Sequence, residues 1–313
     1  MSPGLHLGLD IGGTASRYVL CDGQGREVAR GRAAGATGHV FNPAEKDKLR
    51  AAFEAIAAEI APRDIAIASV TLGLTGYGPA VSGVVTALVG EAFGVASGSV
   101  IAVDDIILAY MANFAPGEGH LISAGTGSIG VHIGADGAFT RVGGRGILID
   151  DGGSGSWIAL TALDRIYRVL DQDGDFGPVS ILAENLLQQV GGRDWSDVRQ
   201  FVYAGDRGRI GTLAVAVARA AVAGDAAAQA ILRQAGVELA RLAQALVRRV
   251  GPRPIGFIGG VLALHPAIAA EIRDTLGGRE VRLLNADASL TAARLQAGGN
   301  DAWLATLAAQ RSG

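Results

Sequence analysis

The sequence predicts an α/β fold made of a duplicated unit, two similar lobes in one chain, and three observations carry that prediction. Strand-like and helical stretches alternate along the 313 residues. A unit of strand, glycine turn, strand, Asp-Gly hairpin and strand occurs over residues 5–30 and recurs over 120–144. Apolar residues make up 49% and charged residues 18%, enough for a sizeable core in one large or two ordinary domains.

In chain order, residues 5–30 alternate apolar and polar side chains around Gly12-Gly13-Thr14 and an Asp22-Gly23 turn. Leu49, Phe53, Ile56 and Ile60 follow at helical spacing after Pro43, which predicts a helix over 43–60. A buried strand is expected within 65–78, a helix over 80–93, and a short strand over 99–105 that stops at Asp104-Asp105. The second copy is HLISAGTGSIGVHIGADGAFTRVGG, in which Gly125-Thr126-Gly127 takes the place of Gly12-Gly13-Thr14 and Asp136-Gly137 that of Asp22-Gly23. Helices are expected over 154–170, 179–190, 212–223 and 225–250. A late strand within 254–261 runs into Gly259-Gly260, followed by helices over 266–276, 288–297 and 301–310. These elements divide into an N-terminal lobe, 1–115, and a C-terminal lobe with a helical insertion, 116–297; residues 298–313 are expected to pack back on the first lobe.

A net charge of −3 without a basic block argues against a sequence-independent nucleic-acid footprint. One cysteine, Cys21, excludes a disulfide framework, a thiolate zinc site or a cysteine-held iron–sulfur cluster within the chain. The five histidines are scattered without an i,i+4 pair, so no histidine metal site is expected. No stretch reads as a signal peptide or a membrane span, and a cytoplasmic protein is expected.

A glycine turn at a strand end leaves backbone N–H groups unobstructed, which suits an anion and above all phosphate. A single such turn would be a plain hairpin; two matching turns, each opening one half, point to a nucleotide. The Walker A loop needs Gly-Lys-Ser/Thr, and the chain contains no Gly-Lys. Protein-kinase machinery needs a strand lysine, whereas Lys46 and Lys48, the two lysines, fall in one helical stretch. Gly125-Thr126-Gly127-Ser128-Ile129-Gly130 fits the dinucleotide fingerprint in spelling, but a strand and hairpin follow it where that fingerprint must open a helix.

Four segments together resemble the actin, hexokinase and Hsp70 superfamily, with its ribonuclease H-like duplicated fold and a nucleotide cleft between lobes. LGLDIGGT is similar to the first phosphate loop, ISAGTGS to the second, and FIGGV to the adenosine loop. ILIDDGGSGSWIAL resembles the GDEGSGYWI segment of N-acetylglucosamine kinases and of the BadF/BadG/BcrA/BcrD ATPase family. The segments keep the family's order along nearly the whole chain.

The resemblance implies ATP and Mg²⁺, with the phosphates on Gly12, Gly13, Thr14, Gly125, Thr126, Gly127 and Ser128 and the adenosine on Gly259 and Gly260. A carboxylate beside two phosphate turns would repel ATP unless a cation intervened, so Asp10 reads as a Mg²⁺ ligand, directly or through water, where it is not a turn cap. Asp104 and Asp105 each suit a helix N-cap. The family has Asn-Asp here, with the second residue the base that deprotonates a sugar hydroxyl, which implies Asp105; phosphoryl transfer asks mainly for alignment and charge stabilisation. Asp151 is a sugar contact by resemblance or an acid at a helix start; Trp157 reads as core.

Three departures surround the implied acceptor pocket: Thr37-Gly38-His39 stands for Thr-Asn-His, Gly143-Gly144-Arg145-Gly146 for Gly-Gly-Trp-Gly, and Asp151-Gly152 for Asp-Glu. Losing polar partners to a buried hydroxyl alters discrimination, and Arg145 suits an anionic acceptor. The expected activity is an ATP-dependent kinase of a primary hydroxyl on an amino sugar of the N-acetylglucosamine or glucosamine type or a related hexose, in a homodimer as the family implies. A kinase of an acidic sugar and a BadF-type ATPase activator are the alternatives, the latter lacking the cysteines for its shared cluster. A sugar-responsive regulator would need a DNA-reading helix pair ahead of the first strand at residue 5.

Overall fold

A computed structural model of the chain describes residues 4–61, 66–205, 207–298 and 300–312. Two units make it up: Met1–Glu118 with Ile133–Ala138 and Asn285–Gly313, and Gly119–His132 with Phe139–Leu284.

In the first unit, β1 (Leu5–Ile11), β2 (Ala15–Cys21) and β3 (Glu27–Ala34) form a meander, followed by α1 (Pro43–Ile60), β4 (Ile67–Leu74), α2 (Ser82–Phe93), β5 (Val100–Asp104) and α3 (Asp105–Asn113). The sheet order is β3-β2-β1-β4-β5, with β1–β2 antiparallel and β1–β4–β5 parallel. Ile65, expected within the strand of 65–78, lies outside the described residues. Alternation along β1 sets two faces. Leu5, Leu7, Leu9 and Ile11 join a core with Leu49, Phe53 and Ile56 of α1 and Val85, Leu88 and Val89 of α2. The other face is cut back to glycine: a Cβ on Gly8 would lie 2.1 Å from Ser289 O, and one on Gly73 would lie 2.6 Å from the Leu108 side chain in α3. The residues that crowd Gly8 belong to α11 (288–295), which closes this face late in the chain.

The second unit begins with β6 (His120–Ala124), β7 (Ser128–Ile133) and β8 (Phe139–Gly143) and continues through the helices α4 (Gly155–Asp173), α5 (Ser180–Val190), α6 (Trp195–Tyr203), α7 (Arg207–Gly211), α8 (Leu213–Val222) and α9 (Ala226–Val250). It ends with β9 (Ile255–Ile258), α10 (Pro266–Leu276) and β10 (Val281–Leu283); α11 (Ala288–Leu295) and α12 (Asp301–Ser312) return to the first unit. The sheet order β10-β9-β6-β7-β8 is the first sheet's order with each strand replaced by its counterpart, and β6–β7 is again antiparallel and β6–β9–β10 parallel. The duplication read from three strands therefore extends to five.

Several expectations are adjusted. The left-handed residue of the first hairpin is Gly25, at φ 71°, not Gly23; Asp22 instead accepts from the N–H groups of Gln24 and Arg26. Residues 285–297, assigned from the sequence to the second lobe, belong to the first unit. The strand β10 and the helices α6 and α7 had no counterpart in the sequence reading, and the helix expected over 154–170 runs on to Asp173, where Gly174 ends it in the left-handed region. Trp157 is half-buried and packs against the second core, as expected. Among the described residues no helix is long and apolar enough to cross a membrane.

Candidate active site

In an open α/β sheet ligands gather at the carboxyl ends of the parallel strands. In the first unit β1, β4 and β5 run parallel, and their carboxyl ends carry Asp10 to Thr14, Thr75 and Gly76, and Asp104 with Asp105. Asp10 pairs across the sheet with Gly73 on one side and Arg17 on the other. That register brings Arg17 Nη1 to 3.6 Å from Asp10 Oδ2. Asp10 shares its face with Gly8, the face covered by α3 and α11. The acids at the N-terminal ends of those helices, Asp105 and Asp287, accordingly act on it. Burial raises the Asp10 carboxyl above the usual carboxylate range; the Arg17 guanidinium opposes this, and the Asp105 and Asp287 carboxylates add to it. A carboxylate in such company invites a cation.

The turn Gly12-Gly13-Thr14 is closed by a hydrogen bond from Gly12 N–H to Ala15 O (3.1 Å), and Gly13 and Thr14 are exposed. Ala36 N–H donates to Gly12 O (3.0 Å), tying the turn to the segment that carries Thr37-Gly38-His39. Thr37 donates to Glu45 Oε2 (2.9 Å), and Gly38 N–H donates to Thr75 O (2.8 Å). Gly76 is left-handed (φ 78°), and a Cβ there would lie 2.7 Å from His39 Nε2, so the imidazole rests against this glycine.

The two adjacent acids separate by role. Asp104 is the N-cap of α3 and accepts from Ile106 N–H at 3.3 Å. Asp105 is the first helical residue, not the cap, and its Oδ2 accepts from the Thr75 hydroxyl at 2.5 Å. Seven candidate positions, Asp10, Gly12, Gly13, Thr14, Gly38, His39 and Asp105, therefore lie within one unit.

In the second unit Gly125-Thr126-Gly127 lies at the end of β6 and Gly259-Gly260 at the end of the neighbouring parallel strand β9. The chain continues from Gly127 into β7, so the dinucleotide spelling opens no helix. A Cβ on Gly125 or on Gly260 would meet nothing within 4 Å, and the missing side chains leave open space. Gly259 differs: at φ 111° its Cβ would lie 2.3 Å from Ala124 O, so the close approach of β6 requires glycine there. The Ser128 hydroxyl, assigned from the sequence to phosphate, is buried and donates to Gly152 O (2.8 Å). Asp151 is buried as well, adopts φ 94°, and receives Ser128 N–H at 3.4 Å. A Cβ on Gly127 would lie 3.0 Å from its Oδ2. Asp151 thus braces the second glycine turn from beneath, while the N-cap of α4 is Ser154. Gly155 N–H and Ser156 N–H donate to Gly125 O (2.9 Å) and Thr126 O (3.3 Å), fastening the turn to the start of α4. Arg145 is exposed, with Nη1 3.5 Å from Asp150 Oδ2, an acid that Arg241 also approaches at 3.4 Å.

The sequence reading passed over Arg17, Thr75 and Asp287. Hairpin register across the Gly12–Thr14 turn would have found Arg17 opposite Asp10. Thr75 follows the last residue of β4 and precedes a glycine, but nothing local pairs it with Asp105. Asp287 sits at the head of a helix that only the fold returns to the first sheet.

Two five-stranded sheets of one topology, each ending a glycine turn at the carboxyl edge of its central strand, define the duplicated α/β fold of the actin and hexokinase type. The chain belongs to the BadF/BadG/BcrA/BcrD ATPase family, whose model matches residues 7–286. It is 25% identical over 321 aligned positions to an N-acetyl-D-glucosamine kinase of Dictyostelium discoideum, covering 94% of this chain and 98% of that one. It is also 29% identical over 152 residues to an N-acetylmuramic acid/N-acetylglucosamine kinase of Clostridium acetobutylicum; that match spans 48% of this chain and about half, 49%, of the relative. In fold it resembles the crystal structure of a candidate N-acetylglucosamine kinase of Chromobacterium violaceum, with TM-score 0.72, 22% identity, and 95% and 100% of the two chains covered.

Proposed function

We infer that the protein is an ATP-dependent sugar kinase that phosphorylates a primary hydroxyl of an amino sugar of the N-acetylglucosamine type. The observation that carries this reading is the carboxyl edge of the first sheet, where Asp10 and Asp105 stand beside a bare glycine turn, in a chain of this family. Asp105 accepts the proton of the acceptor hydroxyl as that oxygen bonds to the γ-phosphorus, and the bond from phosphorus to the β-phosphate bridging oxygen breaks, releasing ADP. Asp104, whose carboxylate caps α3, leaves that role to its neighbour. Gly12 N–H and Gly125 N–H close their own turns on Ala15 O and Gly127 O, which leaves the backbone N–H groups of Gly13-Thr14 and of Thr126-Gly127 to phosphate oxygens, with Gly259-Gly260 for the adenosine.

Mg²⁺ fits the donor set. Among the described residues no cluster of three or more His, Cys, Asp or Glu forms a cage, and Mg²⁺ on a nucleotide characteristically takes one or two carboxylates with the phosphates supplying the rest. Asp10 would hold it, directly or through water. When bound, the ion offsets the phosphate charge that builds up during transfer.

Arg145 favours a second acceptor. The Clostridium acetobutylicum relative is named for N-acetylmuramic acid as well as N-acetylglucosamine, and the former carries a lactyl carboxylate that an exposed guanidinium would meet. The ATPase-activator alternative loses support: Cys21 packs with Val19 and Ala293, and burial pushes its thiol up.

A coupled ADP-release assay over N-acetylglucosamine, N-acetylmuramic acid, glucose and glucosamine tests the activity, with Asp105→Asn as its control. Turnover on an amino sugar is expected, and the variant should lose roughly 10²–10⁴-fold while still binding ATP. Full activity of the variant, or ADP release independent of every sugar, would overturn the reading. Activity on N-acetylglucosamine equal to or above that on the acidic sugar would remove the case for Arg145.

A further inference from the structure

We propose that Thr75 is a positioning residue for phosphoryl transfer, acting through Asp105. The proposal rests on the assignment of Asp105 as the base.

Thr75 follows the last residue of β4, and three fixed contacts converge on it. Its N–H donates to Ile11 O (3.0 Å), one residue past Asp10; its carbonyl accepts from Gly38 N–H (2.8 Å); and its hydroxyl lies 2.5 Å from Asp105 Oδ2. The first contact anchors it to the strand of Asp10, the second to the Thr37–His39 segment, and the third to the base. A hydroxyl has one proton to give. Ile11 O, at 3.4 Å, is the longer alternative, and the distance to Asp105 falls in the range of an O–H donor on an ionised carboxylate.

Two consequences follow. The carboxylate is held in one rotamer by a side chain whose own backbone is pinned at both N–H and C=O, so its aim does not depend on substrate. Oδ2 is thereby engaged, and Oδ1 is left to the acceptor hydroxyl. A β-branched residue suits the task, since Thr has a stiff χ1.

The test compares Thr75→Val, which keeps the shape and deletes the hydroxyl, with Thr75→Ser, which keeps the hydroxyl. For the full-length enzyme with Mg-ATP and its sugar acceptor, kcat is measured alongside the KM for ATP. Thr75→Val should lower kcat on the order of 10–100-fold, with KM for ATP unchanged. Thr75→Ser should restore kcat. Thr75→Ala serves if the valine variant fails to fold. An unchanged kcat overturns the proposal, and so does a fall in kcat accompanied by a raised KM for ATP, because a merely structural role would disturb ATP binding together with turnover. Failure of Thr75→Ser to rescue also overturns it. Failure of the underlying reading is recognised separately, by an Asp105→Asn variant that keeps its activity.

Discussion

Asp10 shows how one residue can be kept at a cost to the fold. Its carboxyl is raised above the usual range by burial, with Arg17 opposing and Asp105 and Asp287 adding. Folding therefore favours the protonated form: the stabilising share is present below the ordinary carboxylate pKa and is lost as pH rises through the raised one. At neutral pH the ionised group is a net cost in the ligand-free protein. Asp10→Asn should raise the thermal midpoint at pH 7 without nucleotide, and the difference should shrink below about pH 4, where both forms are neutral. Activity should be lost in the same variant, the trade-off expected at a site strained for function. Arg17, largely exposed, adds little penalty when left behind. Thermal scans at the two pH values decide this; a midpoint unchanged or lowered at pH 7 refutes it.

At the scale of elements, the site depends on how closely α11 can lie on β1. Backbone atoms of Ser289 and Ala293 would stand 2.1 and 2.2 Å from a Cβ on Gly8, and neither is a flexible side chain that could move aside. Gly8→Val should therefore push the helix off the sheet and cost on the order of 3 kcal/mol or more. Cys21 reports the event, because it is buried against Ala293 of the same helix. Urea unfolding should show the loss of stability, and a thiol reagent should label Cys21 in the variant but not in the parent. A parent-like labelling rate would show that the helix stays in place. The same displacement would carry Asp287 away from the Asp10 cluster, since that acid caps α11 through Leu290 N–H (3.1 Å).

Across the molecule, the first unit is assembled from distant parts of the chain: its sheet comes from residues before 105, and two of its helices come after 285. On α12, Trp303 meets Tyr110 of α3 edge to face, with ring centroids 5.8 Å apart. A chain ending at Leu284 should keep the second unit and lose the first, since one face of β1 and β4 would be uncovered. Limited proteolysis read by mass spectrometry should then find cuts concentrated before residue 118 and within 133–138, with the segments 119–132 and 139–284 protected. Equal protection of both parts would show that α11 and α12 are dispensable.

Much of this was legible in the residues themselves. The alternation around Gly12–Thr14 and Gly125–Gly127, the spacing of Leu49, Phe53, Ile56 and Ile60, and the acids at 10 and 105 are local signals, set by strand pleat, helical period and turn chemistry acting over a few residues. They determined the duplicated α/β class, while the choice of Asp105 over Asp104 and the candidate sugar contacts came from the resemblance to the family. Which acid caps α3 and which meets Thr75, why Ser128 turns inward to Gly152, and how Asp287 and Arg17 set the charge around Asp10 were decided by tertiary structure alone. Those outcomes depend on strand register and on a helix brought back from far along the chain, and contacts between residues separated by tens to hundreds of positions leave no periodicity in the sequence between them.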